Sequence, residues 1–217
     1  MFICEVVGII AFAVAGSLIG VQKNLDIFGV IILAITTAVG GGIFRDIMLG
    51  NTPPMIFKNP NYLFLSIISA IPVCLIYKKI SKYNTVINVF DAIGLGAFAA
   101  SGSNMALQYD GNTLLMIITI AVITGVGGGA IRDVMVKEIP FIFCKEIYAL
   151  AVIIGAFSFY LTYPYLPQPL PMYVCFFVTT TVRLVSIKYN LNLPPVSKQI
   201  DGINIWEKMK NQFCLKH

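Results

Sequence analysis

Apolar residues fall in blocks long enough to cross a bilayer, which takes about 20 residues per helix. Short polar or proline-bearing breaks separate them. The pattern predicts seven membrane helices, at about Cys4–Val21, Asp26–Leu49, Tyr62–Tyr77, Val86–Leu107, Thr113–Val136, Ile147–Tyr163 and Met172–Ile187. Gln22-Lys23-Asn24 and Asp110-Gly111-Asn112 are turns. Gly50-Asn51-Thr52-Pro53-Pro54 ends the second span and Pro140 the fifth, because proline cannot continue a helix and restricts the residue before it. The basic connection Lys78-Lys79-Ile80-Ser81-Lys82 follows the third span. A loop stiffened by Pro164, Pro167, Pro169 and Pro171 precedes the seventh, and Pro194-Pro195 leads into a polar tail.

The first six spans say one thing twice. A shift of 87 residues lays Gly40-Gly41-Gly42 on Gly127-Gly128-Gly129, Arg45-Asp46 on Arg132-Asp133, Pro53 on Pro140 and Lys58 on Lys145. A shift of 86 lays Glu5 on Asp91, Phe12 on Phe98 and Gly16 on Gly102. The change of offset fits a one-residue loop insertion. The organisation expected is therefore a three-helix repeat over 1–80, a second over 86–163, a seventh helix over 170–188 and a cytoplasmic tail over 189–217. Three crossings is an odd number, so the second repeat enters from the opposite side. Inverted repeats with a site at their interface are an architecture of transporters and channels. The fold class is all-α and integral to the membrane. The seventh helix reads as fully apolar, completing the bundle or an oligomer contact.

Glycine inside a helix costs about 1 kcal/mol relative to alanine, so three together predict a kink or an unwound turn. Backbone freed at that depth is tolerated only against protein or water, where it can hold ions. The competing reading is close packing of small residues, which also accounts for Gly16-x-x-x-Gly20. Arg45-Asp46 and Arg132-Asp133 are expected to find partners on other helices, since adjacent residues on a helix do not face each other. They read as charges in a wet vestibule that gate permeation or form salt bridges between repeats. Alternatively they snorkel to the interface.

Composition supports this class. Of 217 residues 58% are apolar and 12% charged, against about 25% charged in soluble domains. The net charge of +5 is distributed by topology and does not suggest nucleic acid. Of 15 basic residues only Arg45 and Lys58 fall on one side. The positive-inside rule makes the other side cytoplasmic, with the N-terminus outside and the C-terminus inside a multi-pass plasma-membrane protein. Cys4, Cys74, Cys144, Cys175 and Cys214 lack CxxC spacing and indicate neither a disulfide framework nor zinc. The single histidine is His217. Ala13-Val14-Ala15 resembles a cleavage site, but no Lys or Arg precedes it and Glu5 is acidic, so a first membrane helix is expected rather than a signal peptide.

Glu5 and Asp91 occupy matching places at the starts of the first and fourth spans, suiting the helix macrodipole or forming a cation-attracting pore mouth. Ser101, Ser103 and Asn104, with Thr36, Thr37, Thr119 and Thr124, either line a path or bond back to their own helices. Gly125-x-Gly127-x-x-Ala130 fits a dinucleotide fingerprint. The apolar runs around it are of membrane length, and the first repeat lacks the spacing. With no histidine in the bundle and no catalytic carboxylate pair evident, no enzyme is expected.

Two three-helix halves with Gly-Gly-Gly-x-x-Arg-Asp in the second helix of each, plus a seventh helix, resemble the prokaryotic trimeric intracellular cation (TRIC) channels, also classed as the UPF0126 or glycine-transporter domain family. The resemblance covers about residues 5–188 and extends to Asp26-Ile27-Phe28-Gly29 and Asp91-Ala92-Ile93-Gly94. Glu5 stands where such proteins often have Asp. The resemblance implies a homotrimer in membrane lipid with one pore per protomer. Helices kinked at Gly40, Gly41 and Gly42 and at Gly127, Gly128 and Gly129 would flank that pore, and it would pass potassium above sodium. Bacterial relatives are associated with glycine uptake, which keeps a secondary transporter for glycine or another small solute as the alternative. No cofactor or metal is implied beyond the permeant K+.

Overall fold

The computed structural model describes residues 2–77, 83–109, 113–144 and 147–191. Within them the chain forms α1 (Phe2–Gln22), α2 (Ile27–Met48), α3 (Met55–Lys58), α4 (Asn61–Ile76), α5 (Tyr83–Ala106), α6 (Leu114–Met135), α7 (Phe141–Cys144), α8 (Ala149–Thr162) and α9 (Leu170–Tyr189). Five of these are long and apolar enough to cross a membrane, and α4 and α8 are shorter apolar helices. This is an all-helical membrane protein. The seven predicted spans correspond to α1, α2, α4, α5, α6, α8 and α9. The four-residue helices α3 and α7 have no counterpart in the prediction, being too short to show a period. Lys78, Lys79, Lys82, Asp110-Gly111-Asn112, Lys145, Pro194-Pro195, Cys214 and His217, with most of the tail, lie outside the described residues.

The two halves start their second helices alike. The Asp26 carboxylate accepts from the Gly29 N–H at 2.7 Å, and the Thr113 hydroxyl accepts from the Met116 N–H at 3.3 Å. Each cap satisfies an amide that the first turn would leave without a partner. The centre of the molecule is built from α1, α2, α5 and α6, with α1 against α5 and α2 against α6. In the first half α4 covers α1 and α2, while in the second α8 covers α5 and α6. Helix α9 packs on α5 and α8.

The contacts between halves are reciprocal. A methyl group on Gly41 would fall inside van der Waals contact of the Thr124 carbonyl, and one on Gly128 would meet the Thr37 carbonyl in the same way. Within each half an equivalent contact recurs: a Cβ on Gly16 would lie 2.6 Å from the Thr37 hydroxyl, and one on Gly102 would lie 2.7 Å from the Thr124 hydroxyl. Gly94 admits the Phe12 ring and Gly8 the Phe98 ring, and these rings sit 5.3 Å apart. When residue i touches j and the counterpart of j touches the counterpart of i, the interface has a local twofold.

The triple glycines do not break their helices: α2 and α6 are uninterrupted across Gly40–Gly42 and Gly127–Gly129. Gly41 and Gly128 instead let two backbones touch, so the close-packing reading holds for them. The helical hydrogen bonds stay intact, which avoids freeing polar groups at membrane depth. Gly16 likewise packs against α2, as Gly20 does through Val30.

Because backbone atoms cannot move aside as a side chain can, Gly41→Ala and Gly128→Ala should each destabilise by about 1–3 kcal/mol. A Cβ on Gly42 meets nothing within 4 Å, so Gly42→Ala should leave thermal stability in detergent unchanged or slightly higher. Equal loss in all three variants would contradict the packing account.

Candidate functional site

Each Arg–Asp pair sits in the last turns of a central helix, and each folds onto itself. The Arg45 Nε donates to Asp46 Oδ1 at 2.9 Å, and the Arg132 Nε donates to Asp133 Oδ1 at 2.9 Å. The expectation that neighbours would not pair is corrected here. Their Cβ atoms diverge by about 100° around the helix, but the long arginine arm spans that gap. The second carboxylate oxygen caps the following chain: Asp46 Oδ2 accepts from the Met55 N–H at 2.7 Å, and Asp133 Oδ2 from the Phe141 N–H at 2.9 Å. Each aspartate thus ties a helix end to the short helix beyond its proline turn.

Each arginine also reaches another helix. Arg132 Nη1 pairs with Asp91 Oδ1 on α5 at 2.9 Å. Arg45 Nη1 donates to the Ser101 hydroxyl at 3.3 Å, which donates to Glu5 Oε1 at 3.2 Å. Tyr62 donates to Glu5 Oε2 at 2.7 Å. Both buried ion-pair sets lie within their own half, so the Arg–Asp pairs do not form salt bridges between repeats; Ser101 links the first set to α5 across halves. Snorkelling is ruled out as well, since Arg45 is 4% exposed and Arg132 is 0%. Buried charges of this kind persist only when paired and hydrogen-bonded.

Three further expectations are corrected. Helix α5 begins at Tyr83, so Asp91 lies two turns inside it, beyond reach of the helix terminus. Its role is the pair with Arg132. Glu5 does lie in the first turn of α1. The seventh span is not apolar on its inner face, where Thr179, Thr180, Arg183 and Ser186 are buried. Arg45, Arg132 and Arg183 therefore do not count among loop charges; Lys58 then stands against Lys23, Lys137, Lys188 and the lysines outside the described residues, which leaves the charge asymmetry in place. Lys23 pairs with Glu138, placing those two turns on one face.

The path-lining threonines divide. Thr36, Thr37 and Thr124 bond back to their own helices, and Thr119 is exposed. Ser101 belongs to the first cluster, while Ser103 meets the Cys175 sulfur at 4.0 Å. Tyr62, Tyr148 and Arg183 were missed from sequence. Tyr62 and Tyr148 stand 86 residues apart, the offset that relates Glu5 to Asp91, and that signal was available.

The halves differ in access. A cavity of about 40 Å³ is lined by Glu5, Gly42, Arg45, Asp46, Met55 and Tyr62, among others. One water needs about 10–15 Å³, so it has room for more than one. A wider recess of about 310 Å³, lined by Asn51, Lys58, Gln108 and Tyr109, adjoins it at Asp46 and Met55. In the second half Asp91, Arg132, Asp133 and Tyr148 are each no more than 1% exposed. There the Arg183 guanidinium lies 4.8 Å from the centre of the Tyr148 ring, and Arg132 lies 5.1 Å from that of Phe141.

A twofold bundle of apolar helices around paired, buried Arg–Asp clusters defines a multi-pass helical membrane protein with an internal repeat. Residues 2–78 and 88–164 each match the glycine transporter family, one match per half. The UPF0126 membrane protein YvgT of Bacillus subtilis is 37% identical over 199 residues, covering 91% of this chain and 97% of YvgT. The chain belongs to the UPF0126, or glycine transporter, family of multi-pass membrane proteins, and is not an enzyme. It is closely similar to a solved prokaryotic TRIC channel, with TM-score 0.83, 44% identity and coverage of 88% of this chain and 97% of that one. The TRIC trimeric intracellular cation channel orthologue from Rhodobacter sphaeroides matches with TM-score 0.83 at 30% identity, over 88% of this chain and 98% of that one.

Removing one partner from a buried ion pair leaves the other uncompensated, at a cost of about 3–5 kcal/mol. Arg132→Met strands Asp91 and Asp133 in a sealed site and should abolish recovery of folded protein by gel filtration. Tyr62→Phe, which removes one hydrogen bond to Glu5, should cost about 1 kcal/mol. Recovery of Arg132→Met at the wild-type level would contradict the assigned burial.

Proposed function

We propose that the protein is a potassium-permeable cation channel, a homotrimer in the plasma membrane with one pore inside each protomer between α2 and α6. The observation that carries this reading is the recess and adjoining cavity of the first half, which run along α2 to the level of Gly42 and hold Glu5 and Asp46, together with the close likeness to solved prokaryotic TRIC channels. The halves are inverted about an axis in the membrane plane, an arrangement supported by their reciprocal contacts and odd number of crossings. The N-terminus lies outside and the C-terminus inside, as the lysine asymmetry favours. The recess at Lys58 then faces outside.

Gly41 and Gly128 leave no room for an ion where α2 and α6 touch. Permeation therefore requires the helices to part there, with Gly40, Gly42, Gly127 and Gly129 giving the backbone its freedom. Arg45, Asp46, Arg132 and Asp133 hold the helix ends on either side of that gate, and Glu5 draws cations to it. The family match keeps a second reading alive, a secondary transporter for glycine or another small solute.

One paired experiment in liposomes decides between them: potassium efflux down its gradient, and uptake of labelled glycine with and without a sodium or proton gradient. Fast potassium flux without glycine uptake is expected. Saturable, gradient-driven glycine uptake with little ion leak would replace the channel with a transporter on the same scaffold.

A further inference from the structure

The two clusters share one framework, an arginine held by the aspartate after it, with a second carboxylate from α1 or α5 and a tyrosine from the covering helix or its start. Formally that framework carries one negative charge in each half: Arg45 against Asp46 and Glu5, Arg132 against Asp133 and Asp91. In the second half a further buried cation stands beside the cluster. Arg183, on a helix with no counterpart in the first half, lies over the Tyr148 ring at 4.8 Å and is 2% exposed. Its Nε and Nη2 have no hydrogen-bond partner, and neither has the Tyr148 hydroxyl. Arg183 thus rests on the ring face rather than in a fitted hydrogen-bond cage.

The seat for this guanidinium is specific to the second half. Thr179 and Thr180 of α9 close on Gly155 and Gly96, where a side chain would collide with their hydroxyls. The matching positions in the first half are Ser69 and Ile10. Among the described residues lining the first cavity, Arg45 is the only base. Lys58 stands in the outer recess and is exposed, where water screens it from the buried carboxylates.

We infer that Arg183 is a specificity-determining residue, a tethered cation that closes the second half to free cations, and that the matching place in the first half, beside Glu5 and Tyr62, takes one free monovalent cation. Its ligands would be a Glu5 oxygen, the Tyr62 ring face and water from the recess. A neutral solute gains nothing from an uncompensated carboxylate, and an anion is repelled by it. This deepens the channel reading by giving the path a discrete resting site in one half only.

The test is the thermal midpoint of the full chain in detergent, titrated with potassium chloride against N-methylglucamine chloride at equal ionic strength. That organic cation is too large for the cavity. For wild type a rise of about 3–6 °C is expected once potassium exceeds its dissociation constant tenfold. Glu5→Gln should lose the shift. Arg183→Lys should behave as wild type, and Arg183→Ala should show a larger potassium shift, because a second site opens. If Arg183→Ala does not fold, the Glu5→Gln comparison decides alone. A full shift retained by Glu5→Gln would overturn the inference, as would a wild type indifferent to potassium or an Arg183→Ala shift no greater than wild type. Potassium flux with no stabilising shift would sink this inference and leave the channel reading; a shift without flux would do the reverse.

Discussion

Everything central in this structure depends on how closely α2 and α6 approach. Two helices held apart by side chains of ordinary size sit about 8–10 Å between axes. At Gly41 and Gly128 the only atoms between them are backbone. In lipid, where apolar surface gives little reason for helices to associate, dispersion contacts of this sort supply much of the attraction. The same approach brings Thr37 and Thr124 over the glycines of α1 and α5, so that four helices lock through matched pairs. One consequence is that the Arg–Asp pairs, a turn beyond the crossing, are carried to opposite ends of the contact. Another is that no side chain can enter between α2 and α6 at the middle of the bundle, the point at which the proposed channel would have to open.

The ion pairs do separate work. Each aspartate spends one oxygen on its arginine and the other on an amide beyond the proline turn. Helix end, short helix and covering helix are thereby fixed together. The charges are affordable at this depth because every carboxylate oxygen named has a partner. What differs between halves is the surplus charge, compensated by Arg183 in one and left facing a cavity in the other. A symmetric scaffold is made asymmetric by one added helix.

Much of this was legible in the chain. Seven apolar runs, their proline ends and the 86–87-residue repeat place the helices and pair the halves correctly, because membrane length and repeated spacing are strong signals. Residues at matched offsets, Phe12 with Phe98 and Gly16 with Gly102, turn out to sit in equivalent contacts. For the triple glycines the sequence leaves a break in the helix and close packing side by side, since propensity speaks of cost and says nothing of the neighbour that makes Gly41 and Gly128 necessary. The Arg–Asp self-pairing was missed because the facing rule treats side chains as short. Asp91 was misplaced by a helix start three residues too late. Nothing in the sequence singles out Arg183, because α9 has no repeat partner to compare it with.

The central claim is that ions reach the α2–α6 crossing through the first half. Gly42 lines that cavity and tolerates a side chain, so a cysteine there, with the native cysteines replaced, reports on the path directly. A positively charged thiol reagent added from the Lys58 side should modify Gly42→Cys and stop potassium flux in liposomes. If Gly42→Cys stays unmodified while potassium flows, or is fully modified with flux unchanged, the path does not run where this account puts it.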